Sequence, residues 1–306
     1  FSGGRFTLRD WKMAGRSMET ILVTGATGGI GRAIASRLVR DGKSVYVTGR
    51  SEQKLNELSE ELRSLRANGD QKIASFRFDI GRLSDVRRVM PEICEVSFDT
   101  VIFNAGIMFP YPPRPANEDD LPWMEDTLKT NVVGHFLMAR HLLEKQQHPI
   151  RFVCLSSNTA KIAFASKRWE TTPDGFHNFF ARTKYFTDGW ASYIDSKLAV
   201  IVMAQWLNKN AGDHVSAVAI HPGVAKTAMV DSIPDWQRLI LRPLTRFQTF
   251  EGADICADRV ITNAALSEDD FTNKWFCQGV VDIPRVTQIQ RDAFMGFLHN
   301  VTDGYM

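Results

Sequence analysis

Thr24-Gly25-Ala26-Thr27-Gly28-Gly29-Ile30-Gly31 is the stretch of sequence that decides the fold. It follows the apolar run Ile21–Val23 and leads into an amphipathic helical pattern. Such a turn presents backbone N–H groups and the positive end of a helix dipole to a phosphate. Glycine is needed because a Cβ atom would keep a dinucleotide pyrophosphate away from the backbone. The predicted cofactor contacts in this turn are Gly25, Thr27, Gly28, Gly29, Ile30 and Gly31.

Strand-like and helix-like segments alternate along the chain. Continuous apolar strands between amphipathic helices are typical of a parallel sheet covered on both faces. The predicted fold class is therefore α/β, with a central parallel sheet between two helical layers. The predicted strands cover residues 20–24, 44–48, 72–78, 99–104, 150–155 and 214–220, and the predicted helices cover 29–41, 52–67, 83–94, 121–146 and 191–210.

The composition excludes several classes of protein. The chain has 306 residues, 44% hydrophobic, and a net charge of +2, which gives no basic excess for nucleic-acid binding. The cysteines are far apart, so no metal site or disulfide framework is predicted. Free thiols fit a reducing compartment, and no run reaches the roughly 18 apolar residues of a transmembrane segment. A cytoplasmic location is expected, with peripheral membrane contact as the alternative.

Residues 1–18 differ in pattern from the rest of the chain. They mix basic and apolar residues without a continuous apolar core, which argues against a secretory signal. An added leader, a trimmed precursor and a surface arm are the alternatives for them. Residues 19–306 are expected to form one domain, with an insertion at 158–190 and a substrate lid at 224–247. Both segments follow strand carboxyl ends, where open α/β sheets bind ligands.

Tyr193 and Lys197 form a Tyr-x-x-x-Lys pattern inside a predicted helix. Residues four apart share a helix face, so the phenol and the ammonium can be directed at one ligand. A nearby cation lowers a tyrosine pKa, which would let the phenol exchange a proton with a carbonyl or alcohol oxygen. An amphipathic surface pair is the alternative, because this pattern alone is weakly specific.

Polar residues at predicted strand ends and in one predicted helix supply further candidates. Ser156 and Ser157 close the fifth strand, where a hydroxyl can hydrogen-bond a developing oxyanion. Asn131 is a poor helix-interior residue, which suggests a polar task such as holding a water molecule. Further predicted cofactor contacts at strand ends are Asp79, Ile80, Asn104, Ala105, Gly106, Pro222, Gly223, Val224 and Thr227.

Taken in order, these motifs resemble the short-chain dehydrogenase/reductase family over roughly residues 19–285. The resemblance implies a Rossmann-type domain that binds a nicotinamide dinucleotide across the strand carboxyl ends. It implies that Tyr193 is the proton donor or acceptor and that Lys197 holds the ribose hydroxyls and lowers the tyrosine pKa. It further implies that Ser157 orients the substrate oxygen and that Asn131 anchors a proton-relay water. Of the two serines, Ser157 matches the family's catalytic position better.

The chain departs from the compact members of that family. Ser157 and Tyr193 lie 36 residues apart, so an insertion separates strand five from the Tyr-x-x-x-Lys helix. This feature is similar to the retinol-dehydrogenase-like and carbonyl-reductase-like branch. The string Tyr193-x-Asp195-Ser196-Lys197 also resembles protochlorophyllide reductases, which share a long insertion. We interpret that likeness as kinship within the branch.

The end of the second strand predicts the choice of cofactor. Members of the family that prefer NAD place an acidic residue near Gly49 for the ribose 2′-hydroxyl. Here Arg50 and Ser51 follow the glycine, and a guanidinium suits a 2′-phosphate through charge-assisted hydrogen bonds. The sequence therefore predicts NADP(H), with NAD(H) as the alternative. If Arg50 does not bind a phosphate, it is a solvated charge at the start of a helix.

The resulting hypothesis is an NADP(H)-dependent oxidoreductase that interconverts a hydrophobic ketone or aldehyde and its alcohol. Aromatic residues in 158–190 and apolar residues in 224–247 suggest the substrate class, although aromatic residues in insertions also pack on their own domain. The alternatives are a double-bond reductase of the protochlorophyllide-reductase type and a non-catalytic dinucleotide-binding protein. The family often dimerises through helices equivalent to 121–146 and 191–210. An insertion covering that face would leave a monomer, so monomer and homodimer both stay open.

Overall fold

A computed structural model describes residues 19–108, 121–161, 169–181, 188–225, 251–265, 274–276, 280–282 and 286–306. These residues form an eight-stranded sheet flanked by helices. The strands are β1 Thr20–Val23, β2 Ser44–Gly49, β3 Ile73–Arg77, β4 Thr100–Phe103, β5 Ile150–Leu155, β6 Val215–Ile220, β7 Lys274–Phe276 and β8 Val280–Asp282. The helices are α1 Gly29–Arg40, α2 Glu52–Ser64, α3 Leu83–Ile93, α4 Asp126–Leu128, α5 Gly134–Lys145, α6 Pro173–Ala181, α7 Asp188–Asn210, α8 Ala253–Ala264 and α9 Gln288–Thr302.

The strand order places the crevice of the sheet beside β1. The order is β3-β2-β1-β4-β5-β6-β7-β8, and every pairing is parallel except that between β7 and β8. Strands β2 and β3 are thus added on one side of β1, and strands from β4 onward are added on its other side. In open α/β sheets such a switch point, outside the strand carboxyl ends, is where ligands bind.

Alternation along the strands builds two cores, one on each face of the sheet. Ile21 and Val23 pack with α1, α2 and α8, whereas Leu22 between them packs with α3, α5 and α7. All three side chains are fully buried. Because successive strand residues point to opposite faces, a strand covered on both sides must be apolar throughout. The predicted three-layer Rossmann-type fold is confirmed.

The six predicted strands all form, and the structure adds two short ones. β7 and β8 have only three residues each, which is too short for a recognisable hydrophobic alternation. The sequence pattern does not predict helices α6, α8 and α9 either. The predicted helix at 121–146 is wrong in its start and its regularity, because α4 begins at Asp126 and a π-helical turn, Lys129–Val133, separates it from α5.

Two further properties hold for the described part of the chain. No helix there is both long enough and apolar enough to cross a membrane. No group of three or more His, Cys, Asp or Glu side chains within the same ranges is arranged to hold a metal ion.

Candidate active site

The glycine turn between β1 and α1 is shaped by close approach of the backbone. Gly25 and Gly29 have φ angles of +63° and +55°, a region that favours glycine. A Cβ atom on Gly25 would lie 2.7 Å from the Cα of Ala105, and one on Gly31 would lie 2.7 Å from the carbonyl oxygen of Gly25. A Cβ atom on Gly28, by contrast, would meet no protein atom within 4 Å. Protein atoms therefore crowd the turn at Gly25 and Gly31, whereas the surface over Gly28 is open.

The first turn of α1 suits an anion. Its N-cap, Gly28, offers no side-chain hydrogen bond, and no acidic residue occupies the first turn. The start of α2 differs, because the Ser51 hydroxyl accepts a hydrogen bond from the Lys54 amide. Backbone N–H groups at a helix start need an acceptor, and a phosphate supplies one. The open surface over Gly28 and the free start of α1 thus fit the pyrophosphate of a dinucleotide.

Asn104 fixes the glycine turn to the end of β4. Its side-chain amide donates to the carbonyl oxygens of Thr24 at 2.7 Å and Gly25 at 3.1 Å. The backbone amides of Asn104 and Ala105 both donate to the Thr24 hydroxyl at 3.0 Å. The side chain of Asn104 therefore holds the turn that the sequence predicts to bind the cofactor. A direct contact between Asn104 and a cofactor stays a prediction.

Asn131 lies in the π-helical turn and clamps the segment after β4. Its carboxamide oxygen accepts from the Ile107 amide at 2.8 Å, and its nitrogen donates to the Ile107 carbonyl at 3.0 Å. The same nitrogen lies 3.0 Å from the Ser196 hydroxyl on α7. A Cβ atom on Gly106 would lie 3.2 Å from the Asn131 carboxamide oxygen, so the two residues are in close contact. π-Helical turns often mark functional sites.

Tyr193 and Ser157 meet across the crevice although 36 residues separate them. Their hydroxyl groups are hydrogen-bonded to each other. Both residues are largely buried, each with 9% of its surface exposed. Ser156 instead points into the protein and donates to the Lys197 carbonyl oxygen at 2.7 Å. The geometry thus places Ser157, and not Ser156, beside the tyrosine.

Lys197 lies one helical turn after Tyr193, on the same face of α7. Its ammonium donates to the Leu155 carbonyl at the end of β5, at 3.0 Å, and lies 5.6 Å from the centre of the Tyr193 ring. Burial lowers the pKa of Lys197 from 10.5 to about 8. The ammonium group is therefore held by backbone at the edge of the sheet, within reach of a ligand in the crevice.

Burial outweighs the other influences on the pKa of Tyr193 in this structure. Burial raises the pKa of Tyr193 above its usual value of 10, and the hydrogen bond from Ser157 lowers it only in part. Desolvation disfavours the charged phenolate more than one neutral donor stabilises it. At neutral pH the phenol is thus protonated, which suits a proton donor.

The ends of β2 and β3 carry the residues predicted to choose the cofactor. Arg50 is half exposed, and its guanidinium lies 3.6 Å from the Asp79 carboxylate. Asp79 also accepts from the Gly81 amide at 3.0 Å, so part of its role is to shape the loop before α3. Ile80 is buried in the core, so its side chain has a packing role. A Cβ atom on Gly49 would lie 2.6 Å from the Thr27 methyl group, which disfavours an acidic side chain there.

The segment after β6 is only partly described. Gly223 has a φ angle of +108°, and the Pro222 carbonyl accepts from the Arg259 guanidinium at 2.7 Å. Arg259 also forms a two-bond ion pair with Glu251, whose amide donates to the Val224 carbonyl at 2.9 Å. Thr227 and most of the predicted lid lie outside the described residues, as do residues 1–18.

The described aromatic residues of the insertion pack against the last helix, α9. Phe176 on α6 is fully buried and contacts Trp169, with ring centres 5.3 Å apart, and Phe294 on α9 at the same distance. Trp169 and Phe176 pack on α9, as the alternative that aromatic residues of the insertion pack on their own domain expects. The remaining aromatic side chains of the insertion lie outside the described set.

Sequence reasoning missed the residues that hold the site together. Thr24 lies in the glycine motif and His135 lies on α5, and the two side chains are hydrogen-bonded to each other. Ser196 donates to the Tyr193 carbonyl at 2.7 Å and lies beside Asn131. A spacing of four residues between Asn131 and His135 was the available signal, because such residues share a helix face.

A parallel sheet with a glycine turn at its switch point, beside a Ser, Tyr and Lys constellation, defines a dinucleotide-dependent oxidoreductase architecture. The sequence profile of the short chain dehydrogenase family matches residues 19–168. The chain belongs to the short-chain dehydrogenase/reductase family, and its relatives agree with the retinol-dehydrogenase-like branch.

Curated relatives cover most of the chain. Human retinol dehydrogenase 13 is 31% identical over 219 residues, which are 69% of this chain and 60% of that protein. Human polyprenol dehydrogenase is 25% identical over 250 residues, 78% of this chain and 70% of that protein. The chain thus spans less than two thirds of the first of these relatives.

Solved structures share the fold at low sequence identity. A short chain dehydrogenase from Burkholderia cenocepacia, in complex with NADP, superposes with a TM-score of 0.59 at 23% identity, covering 81% of this chain and 91% of that one. A short-chain dehydrogenase/reductase from Mycobacterium ulcerans superposes with a TM-score of 0.58 at 24% identity, covering 79% and 82%.

Proposed function

We propose that this chain is an NADP(H)-dependent oxidoreductase that interconverts a hydrophobic ketone or aldehyde and its alcohol. The observation that carries the proposal is the hydrogen-bonded pair of Ser157 and Tyr193 next to the Lys197 ammonium, at the edge of the sheet where the glycine turn also lies. A phenol, a hydroxyl and a cation around one crevice are suited to polarising a carbonyl oxygen and moving a proton to it.

The residues divide the chemistry in a simple way. A bound nicotinamide dinucleotide supplies or accepts the hydride. Tyr193 donates its phenolic proton to the carbonyl oxygen during reduction, and in the reverse direction its phenolate takes the proton of the alcohol. Ser157 hydrogen-bonds the same oxygen and so holds it beside the phenol. Lys197 places a positive charge near the developing phenolate, which makes proton release from Tyr193 less costly.

The substrate class rests on the relatives. Retinol dehydrogenase 13 and polyprenol dehydrogenase are named for long, apolar alcohols. The described aromatic residues of the insertion pack within the protein and add no support. A hydrophobic carbonyl or alcohol is therefore inferred from kinship within the branch, and the cytoplasmic location stays a prediction.

The preference for NADP(H) rests on the end of β2. Gly49 is packed against the Thr27 methyl group, and the half-exposed guanidinium of Arg50 follows it. A guanidinium can bind a 2′-phosphate through two charge-assisted hydrogen bonds. The Burkholderia protein with the same fold holds NADP.

The test is a panel of carbonyls and alcohols followed at the NADPH absorbance band, with the Tyr193→Phe variant beside the wild type. General acid–base catalysis is typically worth 10²–10⁴-fold, so turnover should fall at least ~100-fold. Tyr46→Phe is the matched control, because Tyr46 is a buried tyrosine that stacks on Phe76 in the core. A Tyr193→Phe variant with a near-normal rate contradicts the role of the tyrosine. Wild-type protein that binds NADPH but turns over no carbonyl favours a binding protein.

A further inference from the structure

His135 on α5 joins two parts of the site that the sequence keeps far apart. Only 1% of its surface is exposed. Its Nε2 atom lies 2.9 Å from the Thr24 hydroxyl, which belongs to the glycine turn. Its Nδ1 atom lies 3.1 Å from the backbone carbonyl oxygen of Asn131 in the π-helical turn. One ring therefore touches both the turn that suits the pyrophosphate and the turn that carries Asn131.

The partners fix which ring nitrogen carries the proton. A carbonyl oxygen can only accept, so Nδ1 must be the donor toward Asn131. Nε2 of the neutral ring is then an acceptor, and the Thr24 hydroxyl donates to it. The two remaining lone pairs of that hydroxyl accept the amides of Asn104 and Ala105. The Thr24 hydroxyl also lies 3.3 Å from the Ile102 carbonyl oxygen, so this longer contact competes with the 2.9 Å contact to Nε2 for its single proton.

A protonated ring would break the arrangement. Its Nε2–H would need an acceptor, but the Thr24 oxygen already accepts two amides. Burial, with a smaller contribution from the Lys197 charge, lowers the pKa of His135 from 6.5 to about 3. The Phe103 ring, 4.6 Å away between ring centres, covers the imidazole. The surroundings thus keep a single neutral form.

Further contacts make the link continuous. Thr24 and Gly25 are bonded through their carbonyl oxygens to the Asn104 side chain. On the other side, the Asn131 carboxamide is bonded to both backbone groups of Ile107. A shift of the imidazole would therefore move the glycine turn relative to the π-helical turn.

We propose that His135 is a positioning residue that, as the neutral Nδ1–H tautomer, sets the glycine turn against Asn131 and so aligns the dinucleotide with the catalytic side chains. This role rests on the proposed function. It predicts that losing the imidazole weakens both dinucleotide binding and turnover, because the same ring holds both sides of the crevice.

Substitutions of His135 test its hydrogen bonds to Thr24 and to Asn131 separately. His135→Phe keeps a ring against Phe103 but removes both hydrogen bonds. His135→Gln can place its amide near the Nε2 position and restore the bond to Thr24, whereas His135→Asn can place its amide near the Nδ1 position and restore the bond to Asn131. His141→Phe is the control, because His141 lies on the same helix and bonds the Tyr305 carbonyl away from the site.

The binding arm uses NADPH fluorescence without substrate, followed by kcat and KM with the best carbonyl of the panel. Because His135→Phe removes both hydrogen bonds and so releases the glycine turn from the π-helical turn, we expect its NADPH dissociation constant to rise about tenfold, the scale of one hydrogen bond of ordinary strength. His135→Gln should recover binding more than His135→Asn does, and kcat should fall in His135→Phe. A His135→Phe variant that is less stable but has wild-type binding and kcat overturns the proposal, since a merely structural role gives that result.

A second arm needs no dinucleotide. Nitrogen NMR of the histidine rings should show one Nδ1–H tautomer that does not titrate between pH 8 and pH 5, and His135→Phe should remove that signal. An Nε2–H tautomer, or a ring that titrates in this range, overturns the assigned network. Wild-type protein that binds neither NADPH nor NADH defeats the proposed function and the positioning role together, while the tautomer result still stands or falls on its own.

Discussion

At the scale of single residues, the candidate active site consists of buried polar side chains held by hydrogen bonds. The hydroxyl groups of Ser157 and Tyr193 are hydrogen-bonded to each other, and the Lys197 ammonium donates a hydrogen bond to the backbone of β5. Burial moves the two pKa values in opposite directions, up for the phenol and down for the ammonium, because it disfavours the charged form of each. The protonation states of Tyr193 and Lys197 are therefore set mainly by their burial away from water.

The first prediction concerns pH. Because burial lowers the pKa of Lys197 to about 8, the cation is lost as the pH rises through that value. We expect kcat/KM for carbonyl reduction to be level below pH 7 and to fall above pH 8, measured between pH 6 and pH 10. Lys197→Arg should lack this fall, since a guanidinium stays charged over the whole range. A wild-type profile that is flat to pH 9.5 would show that the ammonium charge is not needed.

The second prediction concerns the cofactor. Arg50→Ala removes the guanidinium beside Asp79, and loss of a charge-assisted contact to a 2′-phosphate should raise the KM for NADPH about tenfold or more. The KM for NADH should change little. Arg88→Ala removes a similarly exposed arginine, paired with Asp85 at 2.9 Å on α3, and serves as the control. Equal effects on both cofactors, or a wild-type preference for NADH, would contradict the assignment.

At the scale of elements, helix packing explains the insertion. Helix α6 lies against α9 through Phe176, with Trp169 and Phe294 beside it. The capping box of Thr287 and Gln290 begins α9, and the Gln290 side chain also donates to the Trp169 carbonyl at 2.9 Å. The described part of the insertion is thus fastened to the last helix of the described chain.

The third prediction tests this packing. Phe176→Ala leaves a cavity in a fully buried cluster, and large-to-small changes of this kind cost about 3–5 kcal/mol. We expect the free energy of unfolding in urea to fall by that amount, whereas the KM of the folded variant for its carbonyl substrate should stay within twofold of wild type. An altered substrate preference without loss of stability would instead place Phe176 in the substrate site.

At the scale of the whole molecule, the faces of α5 and α7 are covered from within the chain. Every residue from Ser192 to Ala204 is buried, more than three helical turns, so α7 has no exposed stripe over this length. His299 on α9 packs against Phe136 of α5 and Trp206 of α7, with ring centres 5.1 Å and 5.2 Å apart. For these contacts the covering residue is on α9 and not in the insertion.

The fourth prediction follows from this covering. Because the surface through which the family often dimerises is occupied by α9, we expect a monomer. Light scattering after size-exclusion chromatography should give a mass near 34.5 kDa for this chain, independent of protein concentration. A mass of twice that value, stable on dilution, would mean that a different surface forms the dimer.

The sequence by itself determined the first six strands, the helices α1, α2 and α3, the glycine turn and the shared face of Tyr193 and Lys197. These depend on local periodicity, on backbone sterics and on a spacing of four residues, all of which act within a few residues of chain. The preference for Ser157 over Ser156 came from the family pattern, and the geometry agrees with it.

Only the tertiary structure decided the tautomer of His135, the raised pKa of Tyr193 and the covering of α7 by α9. Thr24 and His135 are separated by 111 positions in the chain, and nothing local in either segment specifies the partner. Burial is likewise a property of the packed layers, since it depends on which helices close over a residue. The physical reason is the same in each case: desolvation and long-range hydrogen bonds exist only once the sheet has brought distant segments together.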